Sequence, residues 1–201
     1  MILEERDDRI VKIRDTNGHA QEYEILENFP FSSETKRMGI IIRNKETEAI
    51  MFYLKGAEVV MEKKVRPEQR SSLTESCEQL AKDGLRTLVI SQKQLTQQEY
   101  EAFASKYTRA RATLVDREAV VQNTIEAIED GMEFLAVTGV EDRLQDQVLE
   151  TIEKFRDAGI QVWMLTGDKI ETAKCIAIAT GMNHKSETAH EIRGDRSSLT
   201  N

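Results

Sequence analysis

The sequence is poor in the residues that build several common kinds of site. It has two cysteines, Cys77 and Cys175, without CxxC spacing, so it carries no disulfide framework and suits a reducing compartment. Its three histidines, His19, His184 and His190, lack the HxxxH spacing of a helical metal site. A metal centre built from this chain's own cysteines and histidines is therefore not expected.

Long hydrophobic runs and excess positive charge are also missing. The apolar runs have strand length, well below the roughly 20 residues of a membrane helix, and the acidic start MILEERDD has no signal-peptide hydrophobic region. The formal net charge of −8 argues against a nucleic-acid partner. No GxxxxGK[ST] string occurs, which excludes a P-loop. We expect a soluble chain whose 201 residues form one large or two small domains.

Strand patterns dominate the first third of the chain. Four runs rich in β-branched and aromatic residues follow one another without helices, which indicates an antiparallel sheet: RIVKIR, YEILENFPF, MGIIIRN and EAIMFYLKG. An apolar stripe then predicts a helix between Pro67 and Gly84. The strand RTLVIS follows, and after it a helical stretch from about Thr96 to Asp130 with a break near Leu114.

The later part of the chain alternates between strands and helices. The runs FLAVTGV and IQVWML are apolar, and each is followed by a predicted helix, ending at Gly159 and Gly181. This alternation is typical of a parallel sheet covered on both faces. Chemistry in such sheets gathers beyond the carboxyl ends of the strands. Asp142 follows FLAVTGV, and Thr166 and Asp168 follow IQVWML.

The turn Thr166-Gly167-Asp168 leads from a predicted strand straight into a helix. The free N–H groups and positive dipole end of that helix attract an anion, and Gly167 lets its backbone come close. The Thr166 hydroxyl can donate to a phosphate oxygen. Asp168 repels bare phosphate, so it would act through a metal, a ribose hydroxyl or a lysine. A simple helix cap explains the same residues, and the tripeptide alone leaves both interpretations open.

One aromatic residue and several cations stand at strand margins in the predicted sheet region. They are Phe31, Lys36, Arg37, Lys55, which precedes Gly56, and Arg86. Each has a simpler interpretation, since Phe31 suits a core and Lys55 and Arg86 suit a solvated surface. Together they fit a platform for adenine with a cationic path for a triphosphate.

Five motifs in order resemble the cytoplasmic part of P-type ATPases over roughly residues 22–183: FSSETKRM, LKGAE, DGLRTL, GVEDRLQ and MLTGDKIETA. The EDRLQ string is similar to the phospholipid-flippase branch rather than to the ion pumps. The resemblance implies a mixed α/β fold in two parts. Residues 1–139 would be a partial nucleotide-binding domain, an antiparallel sheet with helices. Residues 140–201 would be a partial phosphorylation domain with a haloacid-dehalogenase-like parallel α/β fold.

The resemblance also implies a role for each site residue. Phe31 would stack on adenine, and the nucleotide pocket would be lined by Lys36, Lys55 and Gly56. Arg86 would contact the phosphates, and the γ-phosphate end would be met by Thr166, Gly167 and Asp168. Asp142 would lie at the hinge between the domains. The implied cofactors are ATP and Mg²⁺, with the magnesium ligands mostly outside this chain.

The phosphorylated aspartate of the family lies in a DKTGT string, which this sequence does not contain. We therefore expect an internal piece of a phospholipid-translocating ATPase, inactive alone, whose parent couples ATP hydrolysis through an aspartyl-phosphate to lipid transport. The parent would lie at the cytoplasmic face of an endomembrane and reach it only through segments missing here. The piece itself would be monomeric or weakly self-associating through an incomplete sheet.

Other interpretations of the sequence remain open. The chain can be a piece of a cation-transporting P-type ATPase, or a non-catalytic nucleotide-binding or interaction module. A free-standing phosphatase of the same phosphate-handling fold is a further alternative. It would need its own nucleophilic aspartate near the first parallel strand, and the sequence shows none there.

Overall fold

A computed structural model describes residues 2–141, 144–168, 170–183 and 190 of the chain. The chain divides into two compact units. The first unit comprises Met1–Gln79 and Thr87–Gly139, and the second unit comprises Leu80–Arg86 and Val140–Asn201. The expected boundary between two domains after residue 139 stays a prediction.

Seven strands form one sheet in the order in which they occur along the chain. They are β1 (Ile2–Arg6), β2 (Ile10–Arg14), β3 (Ala20–Phe29), β4 (Arg37–Asn44), β5 (Ile50–Gly56), β6 (Arg86–Leu95) and β7 (Glu133–Val140). The pairs from β1 to β6 are antiparallel. β7 lies beside β6, where the Gln92 amide donates to the Glu133 carboxylate and the Thr138 hydroxyl donates to the Leu88 carbonyl. The predicted antiparallel sheet is confirmed, and β1, within the acidic start of the chain, was not foreseen.

Six α-helices accompany the sheet among the described residues. They are α1 (Glu58–Lys64), α2 (Arg70–Lys82), α3 (Gln97–Ala112), α4 (Arg117–Ile128), α5 (Val148–Asp157) and α6 (Ile170–Ala179), with a 3-10 helix at Pro67–Gln69 before α2. A capping box at Thr96 and Glu99 fixes the start of α3. The predicted break near Leu114 is confirmed by the gap between α3 and α4. None of the helices in the described ranges is long and apolar enough to cross a membrane.

The hydrophobic core lies on one face of the sheet. Alternation along β4 and β5 turns Ile41, Phe52 and Leu54 inward, and all three are essentially inaccessible to solvent. Residues from the helices, among them Met61 and Phe103, complete the same cluster. Every described residue of this core cluster belongs to the first unit.

The parallel sheet expected in the later part of the chain is not formed by the described residues. FLAVTGV is a strand, but as β7 it joins the antiparallel sheet beside β6. The predicted strand IQVWML, residues 160–165, is not a strand, and Trp163 and Leu165 are 83% and 97% exposed. A strand persists only where a neighbour accepts and donates its backbone hydrogen bonds. Within the described ranges no strand pairs with this segment.

Candidate functional site

The loop between β3 and β4 carries the first two predicted nucleotide residues, Phe31 and Lys36. Phe31 is 60% exposed, so the alternative that it belongs to the core is wrong. The loop is closed on itself, because the Lys36 N–H donates to the Ser32 carbonyl at 2.8 Å and the hydroxyls of Ser32 and Thr35 are 2.9 Å apart. Lys36 has a positive φ of 52°, an uncommon conformation for a residue with a side chain. The backbone at Lys36 is thus held in one defined position.

The pairing of β4 with β5 brings Lys55 and Gly56 to this loop. Arg37 pairs with Gly56, and Met38 pairs with Lys55. The Ala57 N–H donates to the Lys36 carbonyl at 3.0 Å. A Cβ atom at Gly56 would lie 2.7 Å from the Arg37 Cβ and 2.9 Å from the Lys36 carbonyl oxygen. Glycine is therefore required at Gly56 because the two strands approach so closely there.

Lys55 lies on the sheet face opposite the core, since its neighbours Leu54 and Gly56 are buried while Lys55 is exposed. On that face it lies between Met38 of β4 and Ile90 of β6. The arrangement combines a flexible cation with partly exposed apolar side chains. Such a surface suits a ligand with a planar apolar portion and negative charge.

The same face continues to Tyr53, which lies between Ile40 and Gln92. Tyr53 is half-buried. Desolvation by burial, with a smaller effect of nearby Tyr23, raises the pKa of its phenol above the ordinary value. Tyr53 is consequently neutral at physiological pH and adds an aromatic surface without charge.

A second group of predicted residues is assembled within the second unit. The Arg86 guanidinium donates to the Asp168 carboxylate at 3.1 Å, although 82 positions separate them in sequence. The Asp168 N–H donates to the Thr166 hydroxyl oxygen at 3.0 Å. The hydrogen bond from Arg86 foremost, with a smaller effect of the Thr166 side chain, lowers the pKa of Asp168 below its ordinary value. A Cβ atom at Gly167 would meet no atom within 4 Å, so the turn is open on that side.

The structure thus brings the predicted residues together in two groups, one in each unit. The first contains Phe31, Lys36, Lys55 and Gly56, and the second contains Arg86, Thr166, Gly167 and Asp168. Asp142, the predicted hinge residue, lies outside the described residues. The assignment of all nine to a nucleotide site stays a prediction at this point.

Sequence reasoning missed a buried ion cluster directly behind the β3–β4 loop. Arg37, grouped with Lys36 as a loop cation, instead points into the protein, and its Nε donates to both carboxylate oxygens of Glu129 at 2.7 and 2.8 Å. The Lys64 ammonium lies 3.1 Å from the same carboxylate, and Glu126 lies 3.4 Å from the guanidinium. The sequence contained one signal of this burial. Arg37 lies two and four positions before the inward residues Gly39 and Ile41 of β4, so all three share one face of the strand.

Charge balance governs this cluster. Burial favours the neutral form of Arg37, but the hydrogen bonds and charges of Glu129 and Glu126 outweigh it, so the pKa of Arg37 is raised. The Arg37 and Glu129 side chains are 7% and 2% exposed. Arg37 is therefore charged although almost fully removed from solvent, a state that only close pairing stabilises.

Comparison with known proteins places this architecture in a family. Residues 8–147 match the model described as "P-type ATPase, cytoplasmic domain N". The chain therefore belongs to the P-type ATPase family. The match includes the whole stretch that carries the exposed sheet face, the β3–β4 loop and the buried ion cluster.

Individual relatives are similar in sequence to most of this chain. It is 44% identical to "Probable phospholipid-transporting ATPase IIB" of Bos taurus across 96% of its own length and 17% of that protein. It is 45% identical to "Probable phospholipid-transporting ATPase tat-5" of Caenorhabditis elegans across 85% of its length and 16% of that protein. For "Phospholipid-transporting ATPase NEO1" of Saccharomyces cerevisiae the identity is 41%, across 90% of this chain and 16% of the relative. The chain thus spans about a sixth of the length of these relatives.

Proposed function

We propose that the first unit binds ATP on the exposed face of its sheet. The observation that carries this proposal is the β4–β5 pairing, which sets Lys55 and Gly56 of β5 beside the loop that bears Phe31 and Lys36. Membership of the P-type ATPases supports it, because ATP is the common cofactor of that family.

The predicted residues of the first unit suit different parts of the nucleotide. The exposed ring of Phe31 offers a face on which adenine stacks. Lys36 and Lys55 carry flexible ammonium groups that neutralise phosphate oxygens without demanding one geometry. Gly56, which leaves no room for a Cβ atom beside Lys36 and Arg37, keeps β5 close to the loop and so holds Lys55 at the proposed site.

The second unit is proposed to serve the terminal phosphate as part of a haloacid-dehalogenase-like phosphorylation domain. Arg86 would contact phosphate oxygens, and Thr166 and Gly167 would meet the transferred group. Asp168, held ionised by Arg86, would act beside a nucleophilic aspartate supplied from outside this sequence. Asp142 is proposed to lie at the hinge between the two domains. Such a division suits phosphoryl transfer, which depends mainly on positioning and on charge stabilisation.

The magnesium ligands are proposed to come mostly from outside this chain. Asp168 is the acid predicted closest to the phosphates, and it is already paired with Arg86. Among the described residues, no three His, Cys, Asp or Glu side chains converge as a cation site. The donor set does not fit a complete magnesium site.

The whole protein is proposed to move phospholipids across a membrane at the expense of ATP, with this chain at the cytoplasmic face. The names of the relatives support phospholipid as the substrate rather than a cation. The chain would contribute ATP binding to a cycle whose membrane segments and phosphorylated aspartate lie in other parts of the protein. By itself it would bind ATP without turning it over.

Calorimetric titration of the purified chain with ATP tests the proposal. Phe31→Ala should weaken binding by about 1–3 kcal/mol, the usual contribution of one base stacked on an aromatic ring. Leu114→Ala, which removes a side chain that is 98% exposed on the α3–α4 loop, is the matched control and should leave the affinity unchanged. Lys55→Ala should also weaken binding, whereas Lys45→Ala at the opposite end of β4 should not. Absence of saturable ATP binding would favour an interaction module instead.

A further inference from the structure

The buried pair of Arg37 and Glu129 demands an explanation beyond stability. Withdrawing two charges from water is costly, and apolar residues of similar volume often replace such pairs without loss of stability. The first unit already has an extensive apolar core around Phe52 and Ile41. A charged pair at this place is therefore expected to contribute something that an apolar pair would not.

The contacts of Arg37 run directly into the β3–β4 loop. Its Nη1 donates to the Thr35 carbonyl at 3.2 Å while its Nε donates to Glu129. Lys36 lies between Thr35 and Arg37 in the sequence. It has the positive φ, and its carbonyl accepts a hydrogen bond from the Ala57 N–H. A displaced Arg37 would move both the Thr35 carbonyl and the strand contact at Gly56.

Glu129 is itself anchored from a different part of the unit. It is the C-cap residue of α4, where its N–H donates to the Ile125 carbonyl. The Lys64 ammonium at the end of α1 fixes the second carboxylate oxygen. Three segments thus meet at one buried carboxylate, and that carboxylate in turn holds the guanidinium behind the loop.

We propose that Glu129 is a positioning residue for nucleotide binding. Through Arg37 it holds the loop that carries Phe31 and Lys36 against the strand that carries Lys55. The inference rests on the proposed ATP site of the first unit. Glu129 does not touch the nucleotide, and its effect reaches the ligand only through the position of the loop.

The variant Glu129→Gln keeps the size of the side chain and removes its charge. We expect it to raise the Kd for ATP about tenfold, a change of about 1.4 kcal/mol. Glu126→Gln is the matched control, because Glu126 also contacts the Arg37 guanidinium but is 47% exposed. It should change the Kd less than about twofold, since an exposed ion pair contributes little.

A double variant separates positioning from stability. Replacing both partners, Arg37→Met with Glu129→Met, removes the buried charges together and should restore resistance to urea. It also removes the donor to the Thr35 carbonyl, so the Kd for ATP should stay raised. Recovery of both stability and affinity in the double variant would show a purely structural pair and overturn the proposal.

Amide hydrogen exchange tests the loop position without any ligand. In Glu129→Gln the Ala57 amide, bonded to the Lys36 carbonyl, should exchange about tenfold faster, the effect of about 1.4 kcal/mol on local opening. The Tyr100 amide, bonded to the Thr96 carbonyl at the start of α3, should not change. If the wild-type chain binds no ATP, the proposed function fails, while Ala57 exchange still decides whether Glu129 holds the loop. Unchanged exchange at Ala57 would overturn the positioning role.

Discussion

The two units of the chain use apolar residues in opposite ways. In the first unit, Phe52, Ile41 and Leu54 are removed from solvent by the strands beside them and the helices above them. In the second unit, Trp163 and Leu165 are almost fully exposed, and Phe155 on α5 is 43% exposed. Folding free energy from apolar burial is therefore concentrated in the first unit.

Pairing explains this difference better than composition does. The runs IMFYLKG and IQVWML are both short and apolar, and both predict strands. The first becomes β5 and is bonded on both sides, by β4 and β6. The second has no paired strand among the described residues. An apolar run thus becomes a buried strand only when a neighbouring strand satisfies its backbone.

The largest expected effect compares truncation of one large side chain in each unit. Phe52→Ala leaves a cavity in the core and should lower the free energy of unfolding by about 3–5 kcal/mol. Leu165→Ala should change it by less than about 0.5 kcal/mol, because the side chain is already in water. Urea unfolding followed by far-ultraviolet circular dichroism measures both. Equal losses would show that Leu165 is buried in solution and would remove the contrast between the units.

Local patterns predicted most of the first unit. Alternating β-branched residues indicated β2 to β5, and the apolar stripe before Gly84 indicated α2. These elements satisfy their backbones with near neighbours in sequence, so local chemistry determines them. The strand β1 was missed because three of its five residues are charged, and its pairing with β2 rather than its own hydrophobicity holds it.

Long-range partners were beyond the reach of sequence patterns. Arg37 and Glu129 lie 92 positions apart, and Arg86 and Asp168 lie 82 apart. From sequence alone, a charged residue is predicted to be solvent-exposed, because the oppositely charged partner that would allow its burial is not known. The sequence therefore predicts candidate site residues, several cations and one aromatic, but not the ion pairs Arg37–Glu129 and Arg86–Asp168.

A second comparison concerns one glycine in each unit, Gly56 and Gly167. Gly56→Ala would force a Cβ within 3 Å of the Arg37 Cβ and the Lys36 carbonyl oxygen, and should cost about 1–3 kcal/mol of stability. Gly167→Ala meets open space and should leave stability unchanged. Thermal unfolding of the two variants measures the difference. A neutral Gly56→Ala would mean that β4 and β5 separate there more easily than their register implies.

The smallest expected effect concerns the origin of two lowered carboxyl pKa values. In the second unit a hydrogen bond from the Arg86 side chain chiefly lowers the pKa of Asp168, whereas in the first unit backbone N–H groups of Arg9 and Ile10 lower that of Asp7. Arg86→Met should therefore raise the pKa of Asp168 toward its ordinary value and leave that of Asp7 in place. Carboxyl carbon shifts followed by NMR across an acid titration measure both groups.

The sign of the linked stability follows from the direction of the shift. With its pKa lowered in the folded state, Asp168 contributes stability that is complete above the unfolded value of about 3.9 and is lost as the pH falls through the folded value. In Arg86→Met that contribution shrinks, so the stability difference between variant and wild type should narrow as the solution is acidified. An Asp168 titration unchanged by Arg86→Met would show that the Thr166 side chain, rather than the guanidinium, holds the carboxylate ionised.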